Sequence, residues 1–158
     1  YSDNEAYTML INRVGKANIS AYWDKLGYKI NYQADRFGNL TADGGSIYAK
    51  MVYRYYLSGN DNAKKLMTDL KEAIDMDTIK ASNANYEVGH KYGSFEEYYN
   101  DVAIVLTEYP YSVTILSTMG DTTLKDQYFL KAHQLANQFN SLYWQEKNKF
   151  CSYKQVLK

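Results

Sequence analysis

The sequence predicts an α+β fold in which an antiparallel sheet is packed with helices. Apolar residues recur at three- and four-residue steps through the first half of the chain, as they do along one face of a helix. From about residue 86 the pattern changes to three consecutive runs rich in Tyr, Val, Ile and Thr, which favour strands. A long helical pattern follows these runs. Helices first, then strands, then a closing helix is an order typical of α+β proteins.

The first half of the chain contains the helical segments, each bounded by capping residues or glycines. An aperiodic loop at 28–39 separates the second segment from the third. The predicted segments are a helix capped within Ser2 to Asn4 and stopped at Gly15, the helix body Ile19 to Leu26, the stretch from Thr41 or Asp43 to Ser58, the stretch Ala63 to Ile74, and a short turn at 78–81.

Three strands and one helix make up the second half. Pro110 has a fixed φ that suits a turn, so the strands on either side of it form an antiparallel hairpin. The predicted strands are Tyr86 to Tyr92, Tyr98 to Thr107 and Tyr111 to Thr118. The closing helix runs from about Thr122 to Tyr143 and repeats apolar residues on one face, namely Leu124, Tyr128, Leu135, Phe139 and Leu142.

The chain is expected to form a single domain with four parts. They are a helical part (1–84), a three-stranded part (85–120), the closing helix (121–145) and a loose polar tail (146–158). A length of 158 residues with 46% hydrophobic and 23% charged residues is an ordinary composition for one globular domain. The 18 tyrosines are spread over every element, which favours a packing role over a ligand-stacking surface.

Composition also excludes several classes of partner. Basic and acidic residues balance at 18 each, so no broad charge attracts nucleic acid or anionic lipid. No apolar run approaches the roughly 18 residues of a membrane span. The single cysteine excludes an internal disulfide, and His90 and His133 have no acid or thiol at ligand spacing, so we expect no metal and no cofactor. His90 is expected to support its strand and His133 to lie on the surface of the last helix.

Two short motifs carry the functional signal. Ser2-Asp3-Asn4 precedes the first helix, and Lys91-Tyr92-Gly93 lies in the first predicted strand. They resemble the second and third signature elements of the serine hydrolases that include class A β-lactamases and penicillin-binding proteins, written S-x-x-K, S-D-N and K-T-G. The run Asn100 to Val105 resembles the N-D-V-G-I-V neighbour of that family's H-K-T-G strand, and the order of elements is also similar.

The resemblance implies that Ser2 and Asn4 meet Lys91 across one cleft, and it implies catalytic roles for three residues. Ser2 would pass a proton toward the leaving nitrogen, because a hydroxyl can both donate and accept. Lys91 would supply positive potential that attracts a substrate carboxylate. The backbone N–H of Ser94 would be one donor of the oxyanion hole. Without the resemblance, Ser2 and Asn4 would be interpreted as helix caps and Lys91 as a solvated strand lysine.

The resemblance also implies a substrate-binding set. Asn4 would hold a substrate amide or the first motif's lysine, and Gly93 would let the substrate approach the strand. Tyr92 stands where the family has Thr or Ser, so its phenol would have to replace the hydroxyl that binds the substrate carboxylate. Asp35 is a possible deacylating group, since no glutamate occurs between Gly27 and Ala42. An ordinary loop acid is the favoured interpretation of Asp35.

The first element of the signature is absent from the chain. No Ser-x-x-Lys occurs, so the nucleophilic serine and its lysine are expected outside these 158 residues, and the chain alone is expected to be inactive. The family's N-terminal part also completes its sheet. Without it the strand Tyr111 to Thr118 would expose an edge, and we expect an N-terminal segment or a second chain to complete the fold.

Two functions from different classes remain after these arguments. The favoured one is the C-terminal portion of a bacterial, secreted or cell-surface serine hydrolase that forms an acyl-enzyme with a β-lactam or a cell-wall peptide. The alternative is a non-catalytic module that keeps the scaffold and binds a ligand or peptidoglycan. A third interpretation is a helical partner-binding domain with accidental motifs.

Overall fold

The structure, a computed structural model, describes residues 3–32, 38–73, 79, 82–119 and 124–156. These residues confirm the predicted α+β class, with helices packed on an antiparallel sheet. The elements in chain order are α1 (Asn4–Val14), α2 (Lys16–Lys25), β1 (Asn31–Tyr32), β2 (Gly38–Asn39), α3 (Ala42–Leu57), α4 (Asp61–Lys71), β3 (Glu87–Phe95), β4 (Tyr98–Leu106), β5 (Tyr111–Ser117) and α5 (Lys125–Val156).

The first two helices meet at a single glycine. The N-cap of α1 is Asp3, whose carboxylate accepts hydrogen bonds from the backbone N–H groups of Glu5 at 2.8 Å and Ala6 at 2.9 Å. Gly15 ends α1 as predicted, in a positive-φ conformation (φ 85°) that a glycine adopts without strain. The same glycine also begins α2. The second helix therefore starts three residues earlier than the sequence pattern indicated.

The expected buried face of α1 is largely exposed. Met9, Leu10 and Val14 all lie open to solvent, and Ile11 is the one residue of this helix that is buried. The main packing partner of α1 is α2. Among the described residues no element covers these three side chains, whereas the apolar side of an amphipathic helix usually faces a core.

Helix α3 is capped by Thr41, one of its two predicted starts, and α4 is capped by Asn60, so that α4 begins two residues before the predicted Ala63. The Thr41 hydroxyl accepts from the N–H of Gly44 at 3.3 Å, and the Asn60 side chain accepts from the N–H of Asn62 at 2.9 Å. The segment expected to be an aperiodic loop contains the short antiparallel pair of β1 and β2.

The main sheet has the order β3-β4-β5 and is antiparallel throughout. All three predicted strands are present, and the first continues three residues beyond its predicted end, to Phe95. In the register, Tyr92 lies opposite Asp101 and Lys91 lies opposite Val102. Since side chains alternate along a strand, Tyr92 and Asp101 point to one face of the sheet and Lys91 and Val102 to the other.

One face of the sheet packs on α3 and α4. Its core is apolar and consists of Ala49, Val52, Met67 and Ile104. Glycines allow close approach here: a Cβ at Gly89 would lie 2.7 Å from the Met67 sulfur, and one at Gly45 would lie 2.5 Å from a Thr114 methyl carbon. The helical part is thereby fixed against the sheet on the face to which Lys91 belongs.

The other face of the sheet contacts α5, which is longer than predicted. The helix extends to Val156, so the expectation of a loose tail from residue 146 is wrong for the described residues. Polar composition alone does not end a helix, and neither Gly nor Pro follows Trp144.

The apolar face that the sequence pattern indicates on α5 is exposed. Over residues 125–150 of α5, Phe129 and His133 are the buried side chains. We define the apolar stripe as the exposed residues Tyr128, Leu135, Phe139 and Leu142. Periodicity shows that a helix has an apolar side but does not show which neighbour is present to cover it.

Candidate active site

Four predicted site residues lie in sequence on β3, which is an edge strand. Lys91 and Gly93 alternate with Gly89, so they share the sheet face that packs on α4. Gly93 and Ser94 are exposed, and a Cβ built at Gly93 would meet no atom within 4 Å. The strand is therefore open beside Gly93, as close approach of a substrate backbone would require.

The Lys91 side chain is half-buried and folded against its own strand. Its ammonium donates to the backbone carbonyl of Tyr92 and lies 4.8 Å from the centroid of the Tyr92 ring. Burial lowers the pKa of Lys91, and the negative charge of Asp101 opposes this effect. Lys91 is thus a cation in a partly dry position, which strengthens its field on a nearby anion.

The Tyr92 ring belongs to a row of rings on the opposite face. It stacks on His90 with centroids 6.4 Å apart and on Tyr99 at the same centroid distance. Tyr99 meets Phe129 of α5 edge-to-face at 5.0 Å. The residue that replaces the family's Thr or Ser therefore has its ring packed between neighbours.

Three ionisable residues form a buried cluster under this strand. The Nδ1 of His90 lies 3.0 Å from one carboxylate oxygen of Asp101, and the Nε2 of His133 lies 3.5 Å from the other. His90 and His133 are each 1% exposed and Asp101 is 4% exposed. The expectation that His133 lies on the helix surface is wrong, because α5 turns this residue toward the sheet.

The two imidazoles keep Asp101 ionised. Burial raises the pKa of Asp101, but the hydrogen bonding and charge of His133 and His90 outweigh burial and hold that pKa below its usual value. An ionised carboxylate can only accept, so each imidazole must present a protonated nitrogen to it. The 3.5 Å approach of His133 is long for a hydrogen bond, so its contact with Asp101 is weaker than the 3.0 Å contact of His90.

The other sequence-predicted site residues lie elsewhere. Asn4 is the exposed first residue of α1, and its cap is Asp3, inside the predicted capping run. Ser2 and Asp35 lie outside the described residues. Because the main contact of α1 is with α2, the meeting of Asn4 and Lys91 across one cleft stays a prediction.

The part of the chain that the structure describes has neither a metal-binding cluster nor a membrane-spanning helix. No three His, Cys, Asp or Glu side chains in that part are arranged to hold a metal ion, and this includes the cluster around Asp101. None of its helices combines the length and the hydropathy that crossing a bilayer requires.

The family of this chain is shown by a match to a known protein family. The model of a family described as the β-lactamase enzyme family matches residues 1–142, which include both motifs. The chain belongs to this family. A comparison with curated proteins gives no significant match.

Solved structures share the fold of this β-lactamase family member. PBP-A superposes with a TM-score of 0.71 at 13% identity, covering 88% of this chain and 57% of that protein. A β-lactamase from Sphaerobacter thermophilus gives 0.70 at 19% identity, with 89% and 59% covered. A class A β-lactamase from Mycobacterium abscessus gives 0.65 at 20% identity, with 89% and 61% covered. The chain spans less than two thirds of the length of each.

Sequence reasoning missed Asp101 and His133 as parts of the site. A signal for Asp101 existed, because a hairpin with its turn at 96–97 places it diagonally across from His90. No comparable signal marked His133. Its contact with Asp101 spans 32 positions and depends on how α5 is rotated about its axis.

Proposed function

We propose that this chain is the C-terminal portion of a serine hydrolase that forms an acyl-enzyme with a β-lactam or a cell-wall peptide. The nucleophilic serine and its lysine come from sequence outside these residues. The protein is bacterial and acts outside the cell or at its surface, where cell-wall peptides occur. Family membership and the scaffold support the reaction class, whereas the substrate is part of the proposal.

The observation that carries the proposal is the placement of Lys91 beside open space on an edge strand. Its ammonium is partly desolvated, and the strand next to it is uncovered at Gly93 and Ser94. A substrate carboxylate could bind Lys91 while its acyl group lies along the strand. The N–H of Ser94 would then be available to a developing oxyanion.

The same proposal includes a segment that completes the fold. Within the described residues, no strand pairs with the outer edge of β5, and the apolar stripe of α5 is uncovered. An N-terminal segment of the same protein, or a second chain, would cover both. Co-expression of that segment should convert a chain that self-associates on size-exclusion chromatography into a defined species. A monodisperse, cooperatively unfolding monomer of the 158 residues alone would contradict this part.

Labelling with a fluorescent penicillin tests the acyl-enzyme directly. In the protein that contains the S-x-x-K segment, Lys91→Ala should slow labelling by about 100-fold or more, because it removes a preorganised charge. Ser2→Ala should slow it by a similar factor through loss of proton transfer. Lys64→Ala is the matched control, since Lys64 is an exposed lysine of α4 paired with Asp61. Equal labelling of all variants, or none of the unsubstituted protein, would overturn the proposal.

A second candidate function is a non-catalytic binding module, and the position of Tyr92 favours it. The ring is packed between His90 and Tyr99, in the place of a small hydroxyl residue of the family. A module of this kind would bind peptidoglycan fragments without becoming acylated. Saturable binding of such fragments by a protein that penicillin never labels would support this alternative.

A further inference from the structure

The cluster of His90, Asp101 and His133 joins three separate elements of the fold. His90 comes from β3, Asp101 from the central strand β4, and His133 from α5. Ionisable side chains are rarely buried so completely unless they are paired. A carboxylate buried to this degree retains its charge only if nearby donors replace the water it has lost. The two imidazoles are those donors.

The cluster also lies next to the lysine of the proposed site. His90 directly precedes Lys91, and Asp101 is the cross-strand partner of Tyr92, over whose ring the Lys91 ammonium lies. The Asp101 carboxylate thus lies on the neighbouring strand β4, opposite the residue that follows Lys91 on β3. Burial weakens the solvent screening between the two groups.

Within the part of the chain that the structure describes, the charged and titratable groups around the cluster can be named. Besides His90 and His133, they are Lys91 and Tyr92 on β3, Tyr99 on β4 and Lys125 on α5, whose ammonium lies 4.4 Å from the Tyr99 ring centroid. The β5 residue opposite Asp101 is the apolar Ile115. Among these residues Asp101 is the single anion, so removing it leaves only cations and neutral groups on this face.

We infer that Asp101 is a positioning residue whose buried charge, secured by His90 and His133, acts as the counter-charge of Lys91. Asp101 does not touch the substrate. Its role is to stabilise the positive charge of the Lys91 ammonium in a partly dry position, where a substrate carboxylate would bind. The catalytic meaning of the inference rests on the proposed function, but the coupling between Asp101 and Lys91 does not.

The test is an NMR titration of the Lys91 side chain in the full protein. Asp101→Asn should lower the pKa of Lys91, because the opposing negative charge is lost while burial persists. Glu87→Gln is the matched control, since Glu87 lies on the same strand but pairs with Lys71 on its surface. An unchanged Lys91 titration in a folded Asp101→Asn protein would overturn the inference.

A second measurement needs no substitution and so does not depend on a variant that folds. Nitrogen-15 spectra of the unsubstituted protein should show His90 protonated at Nδ1 and His133 protonated at Nε2 at neutral pH. Neutral imidazoles protonated only on their other nitrogens would overturn the inference.

Penicillin labelling of the same samples separates the two proposals. If Lys91 responds to Asp101→Asn but the unsubstituted protein is never labelled, the inference stands and the proposed function fails. If the protein is labelled but the pKa of Lys91 is the same in Asp101→Asn as in the unsubstituted protein, the proposed function stands and the inference fails.

Discussion

The two faces of the sheet are stabilised by different interactions. The face toward α3 and α4 is apolar and tightly packed, with Gly89 pressed against Met67. The face toward α5 combines the buried Asp101 cluster with a row of stacked rings. Lys91 belongs by alternation to the first face, yet its charge is balanced from the second. A strand between two such faces can hold a cation in a partly dry place.

Tight apolar packing and buried charge have different effects on the stability of this small sheet. Apolar packing fixes where the strand lies, because interiors tolerate little change of volume. A buried ionic cluster adds little net stability but is costly to break, because removing one member leaves the others buried without their partner. Substitutions on the two faces should therefore differ in size and in pH dependence.

The largest effect is expected for Asp101→Ala. It leaves two buried imidazoles without their acceptor and should lower the free energy of unfolding by about 3–5 kcal/mol. Chemical denaturation followed by circular dichroism measures this. Asp69→Ala is the control, because Asp69 forms an exposed pair with Lys65 and its loss should cost no more than about 0.5 kcal/mol. Similar losses in the two variants would contradict the comparison.

On the apolar face, Gly89→Val should cost about 1–3 kcal/mol by overpacking. A side chain there meets Met67 and Leu70, whereas one at Gly93 on the same strand meets open space. Gly93→Val is thus a control that shares the change in strand propensity but not the clash. Thermal unfolding of both variants isolates the packing effect, and equal stabilities would show that α4 does not press on β3 as described.

Acidification should weaken the charged face selectively. Because the folded-state pKa of Asp101 lies below its ordinary value, its contribution to stability is complete above about pH 4 and is lost as the pH falls through the lowered pKa. Denaturation measured at a series of pH values should show this acid-dependent loss. Asp101→Asn should remove that part of the slope, and an unchanged slope would argue that Asp101 is not an ionised acceptor.

The smallest effect is expected at the rim of the apolar face. The half-buried ammonium of Lys71 lies 2.7 Å from the Glu87 carboxylate, which is largely exposed. Glu87→Gln should cost about 0.2–1 kcal/mol, and the difference should shrink as salt is added. A loss as large as that of Asp101→Ala would break the distinction between surface and buried ion pairs in this molecule.

Much of the fold could be predicted because its signals are local. The caps at Thr41 and Asn60, the stop at Gly15 and the three strands all follow from neighbouring residues. The orientation of α5 could not be predicted, because the apolar stripe faces outward and the buried side carries His133. Its extension past residue 145 was missed because polarity was interpreted as an end signal.

The candidate site was predictable only along β3. Lys91, Tyr92, Gly93 and Ser94 are contiguous, so the motif alone places them together. The Asp101 cluster depends on strand register and helix rotation, which no short motif encodes. The placement of Asn4 relative to Lys91 stays a prediction because it depends on how α1 meets the rest of the fold.

A cross-linking measurement tests the central claim, that the S-D-N motif and β3 face one cleft. In a Cys151→Ser background, cysteines introduced by Asn4→Cys and Gly93→Cys would be treated with a short bis-maleimide under native conditions. We predict rapid intramolecular cross-linking that denaturant abolishes. Failure to cross-link in the folded, fully assembled protein would place the two motifs on separate surfaces and contradict the account.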